Sequence, residues 1–263
     1  MCLGKNKTKR IKKILFLTIL FINYSYSQHF LSNKRTSVLL TRSSIQTICK
    51  TGENKDVFND ITYYSYDSKN RLISSITKSG EIQNLTKDST LISYNKQGKI
   101  DSVERYITNS GVHLIKTLQY KNGEIFVHSI QNSIYIKGGA VSTCGSAITV
   151  EDDIIIKADK KNSFFQIYNK SRNLLRTIEF TDKKGVKSSC LNPYSLIGNS
   201  LFWEIVMDFP ERGSLYNIAK ENEVIECKPS TDKDYAGREY PNKIISTLEG
   251  KLVITTDFQY QTI

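Results

Sequence analysis

The sequence predicts a mainly β protein: a curved antiparallel meander sheet or incomplete barrel built from successive hairpins, with one short helix near residues 196–209. Three observations carry this. A Tyr, polar turn, aliphatic unit recurs along the chain, first at Tyr63–Ile76. No Pro occurs before Pro193, and apolar residues alternate there with Ser, Thr and Lys, as in a sheet with one wet face. The texture then changes at Asn192, where an apolar stretch with helical spacing begins.

In chain order, residues 1–27 read as a secretory signal peptide. Lys5, Lys7, Lys9, Arg10, Lys12 and Lys13 precede the apolar run Ile14–Ile22 and the polar segment Asn23–Ser27, with no acid among them. The run is far short of the roughly 20 residues of a spanning helix, so no transmembrane anchor is expected after cleavage near Ser27 and Gln28. Residues 28–263 are then expected to form a single β domain. The formal charge of +11 belongs largely to the leader, and without it the excess falls to about +5. The remaining Lys and Arg are interleaved with acids and gathered in turns. They form no basic stripe, which excludes a nucleic-acid footprint.

Ser37–Lys50 predicts a first strand and Thr51–Asn59 a polar connection. In the first repeat unit, Asp67 suits a turn whose carboxylate accepts backbone N–H groups, and Asn70 tolerates positive φ, which places Tyr66 opposite Leu72. Tyr94–Ile100 keeps this spacing, with Gly98 in place of Asn70 and Ile100 in place of Leu72. Tyr120–Ile125 shortens the loop to Asn122-Gly123, the strongest short-range hairpin signal. Tyr66, Tyr94 and Tyr120 are therefore expected on one face, against Leu72, Ile100 and Ile125. Looser copies follow at Tyr168–Leu175 and Phe180–Val186. Ile154–Ile156 reads as a buried strand after an acidic turn, Glu151–Asp153.

Within 196–209, Leu201, Phe202, Ile205 and Phe209 share one helical face, and Pro210 and Gly213 stop the helix. This face, with Trp203 in its segment, is expected to pack on the sheet. A polar loop, Ser230–Gly237, and a last antiparallel pair, Lys243–Tyr260, closing through Glu249 and Gly250, complete the chain.

Candidate chemistry is sparse. Cys49, Cys144, Cys190 and Cys227 survive leader removal; an oxidising compartment permits two disulfides in three pairings, with free buried thiols as the alternative. They lack any CxxC spacing, which disfavours zinc. His113 and His128 lie on the two strands of the Asn122-Gly123 hairpin, but a register pairing Lys121 with Glu124 sets His128 opposite Thr117, roughly 13 Å from His113 along the strand. His29 lies beside the new N-terminus. Cys144, Gly145 and Ser146 match part of a papain-type signature, yet Ala147 stands where the nucleophile belongs. Asp232, Asp234 and Gly237 imitate a calcium loop, but Ala236 and Lys243 occupy ligand positions. No catalytic, cofactor-binding or metal-binding residue set is assigned, and no cofactor is expected.

The hairpin residues Tyr66, Asp67, Asn70, Arg71 and Leu72 resemble the tyrosine-aspartate repeats of RHS-type secreted proteins, with Asn95 and Lys121 replacing the Asp in the next two copies. Taken with Asn192, Pro193, Tyr194 and with Tyr240, Pro241, Asn242, Lys243, Ile244, they resemble a family of exported bacterial β-proteins of unknown function with a porin-like fold. That resemblance implies a large curved antiparallel sheet and no established activity. Members often carry a lipoprotein Cys, which is absent from the cleavage region here.

The favoured function class is a non-enzymatic exported protein, in the periplasm, at the cell surface or outside the cell, binding a surface polymer or envelope protein. Repeated hairpins build area and curvature rather than a preorganised pocket. The alternative is a secreted hydrolase with carboxylate catalysis, which needs two inward carboxyls roughly 5 to 9 Å apart. An outer-membrane barrel fits less well, because Leu72, Ser74, Ile76, Lys78 offers no fully apolar face.

Overall fold

The computed structural model describes residues 38–51, 54–79, 86–134, 147–159, 164–179, 186–209, 212, 216–219, 223–229, 240–248 and 251–263. Thirteen strands form one antiparallel sheet. In chain order they are β1 (Val38–Thr51), β2 (Asn54–Tyr66), β3 (Leu72–Ser79), β4 (Thr86–Tyr94), β5 (Ile100–Ile107), β6 (Val112–Lys121), β7 (Glu124–Ile134), β8 (Ala147–Asp159), β9 (Phe164–Asn169) and β10 (Leu174–Glu179), followed later by β13 (Glu223–Pro229), β14 (Pro241–Leu248) and β15 (Leu252–Thr262). A two-stranded sheet pairs β11 (Val186–Leu191) with β12 (Tyr216–Ala219). Between them lie a 3-10 turn, Pro193–Leu196, and one helix, α1 (Ser200–Met207).

From β1 to β10 the sheet is a meander, since each strand pairs with its sequence neighbour. The exception to sequential pairing is β15, which docks beside β1 and brings β14 and β13 with it. The meander alone does not predict this step; it covers the otherwise free edge of a 14-residue strand. The sheet ends at β10 and β13 and is not closed into a barrel.

The turns follow the expected chemistry. Asn70 sits at φ 60, Gly98 at φ 79, and Asn122 and Gly123 at φ 54 and 77. The closing pairs are Tyr66↔Leu72, Tyr94↔Ile100 and Tyr120↔Ile125. The Tyr168 hairpin also forms, with Tyr168 opposite Leu174 and Arg172 at φ 63.

Three strand segments differ from expectation. Asn54–Asn59 is strand rather than connection, paired with Gln46–Thr51. It belongs to the rim of a long hairpin, where the ladder to β1 holds the backbone although Val57 and Phe58 remain exposed. Glu151–Asp153 is not a turn but the middle of β8, facing His128–Ile130 of β7. The Phe180–Val186 hairpin falls largely outside the described residues, and its second strand, β11, pairs with β12 instead of β10.

The sheet wraps around the segment Asn192–Asp208. Ten strand spacings of about 4.8 Å separate β10 from β15, roughly 48 Å if flat, whereas α1 is only about 12 Å long. Yet this segment reaches β6 through Lys116, β10 through Arg176 and β15 through Tyr194 on Phe258. Such contacts require strong curvature, with the segment on the concave side.

The helix is shorter than expected and buried on every side, not on one face. Asn199 caps it by accepting from Phe202 N at 3.0 Å, and Asp208 ends it in the left-handed region at φ 56, before Pro210 is reached. Phe209 therefore leaves the helical face and is exposed. A helix enclosed by a sheet has no need of a polar face. Trp203 is 1% exposed, with Nε1 donating to Tyr194 O at 3.1 Å.

Candidate functional site: the concave face

Cross-strand partners share a face, so the registers define the inner surface. Its lower half, beside the turns at Asp67–Arg71 and Asn95–Lys99, carries Leu40, Leu72, Ile100, Leu118, Val127, Ile156 and Ile167, all buried against the Asn192–Met207 segment. Tyr66, Tyr94, Tyr120 and Tyr260 pack against that core.

Along the same strands the inner face continues upward and changes character. On β2 the residues in phase with buried Tyr64 are Thr62, Asp60 and Phe58, opposite Ser43, Ile45 and Thr47 of β1. On β8, Val150 and Ile148 oppose Gln131 and Ser133, which are in phase with Val127. Phe58, Ile148 and Val150 are 47%, 48% and 52% exposed although they share the face of residues that are almost fully buried. Ser75 and Thr90 pair with each other between these two halves, and Thr62 Oγ1 lies 2.9 Å from Thr77 Oγ1. The concave face thus has an apolar floor filled by α1 and a hydroxyl-rich middle. Above them lies an open rim with exposed aliphatic and aromatic side chains.

Most of the inner charges are paired; Asp56, in phase with Phe58, and Asp152, in phase with Val150, are exposed and have no ion-pair partner among the described residues. Lys87 Nζ donates to Asp60 Oδ1 at 2.7 Å. Arg105 donates to Asp88 from Nε at 3.0 Å and Nη2 at 2.5 Å. Lys116, buried on β6, donates to Ile205 O at 3.0 Å and to Asp208 Oδ1 at 2.8 Å, holding the C-terminal end of α1. Glu204, the charged residue of α1, pairs through Oε1 with Arg176 of β10. Its Oε2 has no partner, and burial pushes its carboxyl above the ordinary range despite Arg176.

The sequence candidates lie elsewhere. His113 and His128 are on the convex side, in the register expected, with His128 opposite Thr117. Each has its own carboxylate: His113 Nε2 lies 2.8 Å from Glu104, and His128 Nδ1 lies 2.8 Å from Asp153. Lys170 and His128 together hold the Asp153 carboxyl below its usual range. No metal-ligand cluster forms among the described residues. His29, Cys144, Ser146 and the Asp232–Gly237 loop lie outside the described residues. Cys49 is free and Cys227 is disulfide-bonded, so the two-bridge arrangement of four cysteines does not form. Among the described residues no helix is long and apolar enough to cross a membrane.

Sequence reasoning missed Lys116, Arg105, Asp60 and Glu204, yet a signal exists. Lys116 interrupts the inward phase Leu114, Leu118, Tyr120, and Glu204 interrupts an apolar helix. In both cases the charge standing in the apolar phase is buried and ion-paired to a half-exposed partner.

No family model and no curated protein matches this chain. Among solved structures, a porin-like protein from Bacteroides uniformis ATCC 8492 is 11% identical, covering 88% of this chain and 100% of its own, with a TM-score of 0.38. A porin-like protein from Bacteroides vulgatus ATCC 8482 is 12% identical over 86% and 100%, with a TM-score of 0.34. A LolA superfamily protein from Nitrosomonas europaea is 8% identical over 88% of each chain, with a TM-score of 0.29. These neighbours are β-rich. At such TM-scores the likeness transfers no function, and the architecture stands on the strand registers of this chain.

Proposed function

We propose that this is an exported, non-enzymatic binding protein of the cell envelope, holding an envelope component on the upper half of its concave face. The observation that carries this reading is the exposure of Phe58, Ile148 and Val150 on the inner face. A concave apolar surface with a few polar groups among it is the usual form of a binding site. The ligand it suits is an amphiphilic chain: the inner charges Asp60, Lys87, Asp88 and Arg105 satisfy one another, and the exposed Asp56 and Asp152 stand beside Phe58 and Val150 to meet a polar end. Asp60 and Asp88 are committed to cations and so are poorly placed for general acid and base catalysis; the hydrolase alternative would have to rest on Asp56 and Asp152, the exposed carboxylates of this face. Export rests on the basic and apolar leader.

The test is binding of a fluorescent alkyl-chain probe to the exported chain and to the double variant Phe58→Asp, Val150→Asp. The variant should bind at least tenfold more weakly with an unchanged denaturation midpoint, since both side chains are exposed. Equal binding by parent and variant overturns the reading.

A further inference from the structure

We propose that Glu204 and Arg176 form a proton-released latch that ties the edge strand β10 to the enclosed helix α1. This is independent of what the concave face binds. The argument begins with how little else holds β10. Among the described residues it is the last strand of the sheet on its side and is paired only with β9. Leu174, Leu175, Arg176 and Thr177 are all exposed, while Ile178 makes a partly buried contact with the core. Its neighbour β9, by contrast, is anchored by the fully buried Phe165 and Ile167. Arg176 lies opposite Ile167, on the inner face, and its guanidinium reaches the Glu204 carboxylate.

The Glu204 end of this pair is closed to water, with its side chain 2% exposed and Oε2 unpartnered. Three charged groups act on it among the described residues: Arg176 from β10, Lys116 from β6, and Asp208 just past the end of α1. Lys116 is committed to Ile205 O and Asp208, leaving Arg176 as the cation that pairs with Glu204. Burial and the Asp208 charge favour a proton on Glu204, and Arg176 opposes it.

The two ends then respond differently to protonation. A neutral carboxylic acid suits the buried position, so α1 keeps its seat. Arg176, half-exposed, loses its ionic partner and turns to solvent. Release therefore falls on β10, the margin of the concave face, and leaves the helix in place.

Hydrogen–deuterium exchange on the full exported chain, with Trp203 emission as the report on α1, tests this. Glu204→Gln mimics the neutral state: at neutral pH the amides of 174–179 should exchange at least tenfold faster, with 200–207 and Trp203 emission unchanged. Mild acidification of the parent should reproduce this, and the variant should show no further response in β10. Arg176→Met provides the same readout from an exposed position should Glu204→Gln not fold. Unchanged β10 exchange, or exchange of α1 rising in parallel with β10, overturns the latch.

Discussion

The Tyr94 hydroxyl donates to the carbonyl of Leu72 at 2.8 Å, where that carbonyl lies beyond the end of the β3–β4 ladder, whose pairing begins at Ser74↔Leu91. The relationship recurs. Tyr66 donates to Leu40 at 2.6 Å, Tyr120 to Ile100 at 2.9 Å and Tyr260 to Pro241 at 2.5 Å. The first ladder pairs there are Arg42↔Tyr63, Ser102↔Thr117 and Lys243↔Asp257. In each case the tyrosine stands three residues past the last paired residue of its strand, and the carbonyl two residues before the first of its partner. The repeated Tyr thus caps an orphan acceptor that the sheet would otherwise leave at its lower margin.

Tyr94→Phe removes that cap and little else. It should cost about 1 to 2 kcal/mol, the usual penalty for a buried acceptor left unpaired, and Tyr94→Ala about 2 to 4 kcal/mol as the core contact is also lost. Urea denaturation measures both. A Tyr94→Ala protein as stable as the parent would show that the tyrosine ladder is not packing.

The turn of the first hairpin has an acid-sensitive component that the second lacks. Asp67 Oδ1 accepts from Lys69 N and Arg71 N at 2.9 Å, and Asn95 accepts in the same way from Gln97 N and Lys99 N. Burial raises the Asp67 carboxyl, but the Arg71 side chain and the two backbone N–H groups outweigh it and leave it lowered. A lowered carboxylate contributes stability above its unfolded value, 3.8, and loses it as pH falls through the folded value. Asp67→Asn should therefore cost about 0.5 to 1 kcal/mol at neutral pH, after allowing for solvent screening. The difference from the parent should vanish in acid. A difference that persists below pH 3 would place the effect in turn geometry instead.

Gly198 precedes the helix cap and is buried. A Cβ there would lie 2.7 Å from Phe202 Cβ and overlap its ring. Gly198→Ala should unseat the start of α1, costing about 3 kcal/mol or more. Trp203, the single Trp of the chain, should shift its emission to the red. Unshifted emission with full stability would mean that the turn at Gly198 is free to move.

The parts of the fold that were legible are those with local grammar. Asn70, Gly98 and Asn122-Gly123 fix their turns through positive φ, and a turn fixes the pair that closes it. Arg71, one residue before Leu72, stacks 4.2 Å over the Tyr94 ring, and Lys99, one residue before Ile100, stacks 4.8 Å over Tyr120. Each repeat therefore touches the next, which makes the motif Tyr, turn, cation, aliphatic a structural unit. What was not legible is non-local. The pairing of β1 with β15 leaves no mark on either strand, since an edge residue and an inner-strand residue can be the same Thr or Ile. The rim segment Asn54–Asn59 read as a connection because its only apolar residues, Val57 and Phe58, are adjacent and show no alternation. The site was hidden for a related reason: Phe58 falls in a segment that reads as a connection, and only the register shows that it and Val150 share a face with Tyr64 and Val127 while remaining about half exposed.

The reading of residues 1–27 as a secretory signal peptide predicts a measurable mature chain. Intact-mass analysis of exported protein should place the new N-terminus within a few residues of Gln28, and an exported chain that retains Met1 would end this reading.

The last prediction concerns alkaline pH. Burial pushes the phenols of Tyr64, Tyr66, Tyr94 and Tyr120 well above their ordinary value of 10.0. In each case desolvation is the leading cause, and at Tyr64 the hydrogen bond with Ser43 opposes it only in part. A phenol raised on folding keeps its proton in the native state while the unfolded chain loses it. Its contribution is complete below pH 10 and is lost as pH rises through that value towards the folded one. With four such groups the slope approaches roughly 5 kcal/mol per pH unit, enough to exhaust the stability of an ordinary domain within two or three units. Phenolate absorbance should therefore rise for the exposed tyrosines first, and for these four in a step that coincides with loss of the β-sheet circular dichroism signal. Tyr94→Phe and Tyr120→Phe together should reduce the alkaline slope by about half. If all tyrosines titrate smoothly near pH 10 while the sheet persists, the phenols are in water and the capping interaction of the repeated hairpins does not exist in solution.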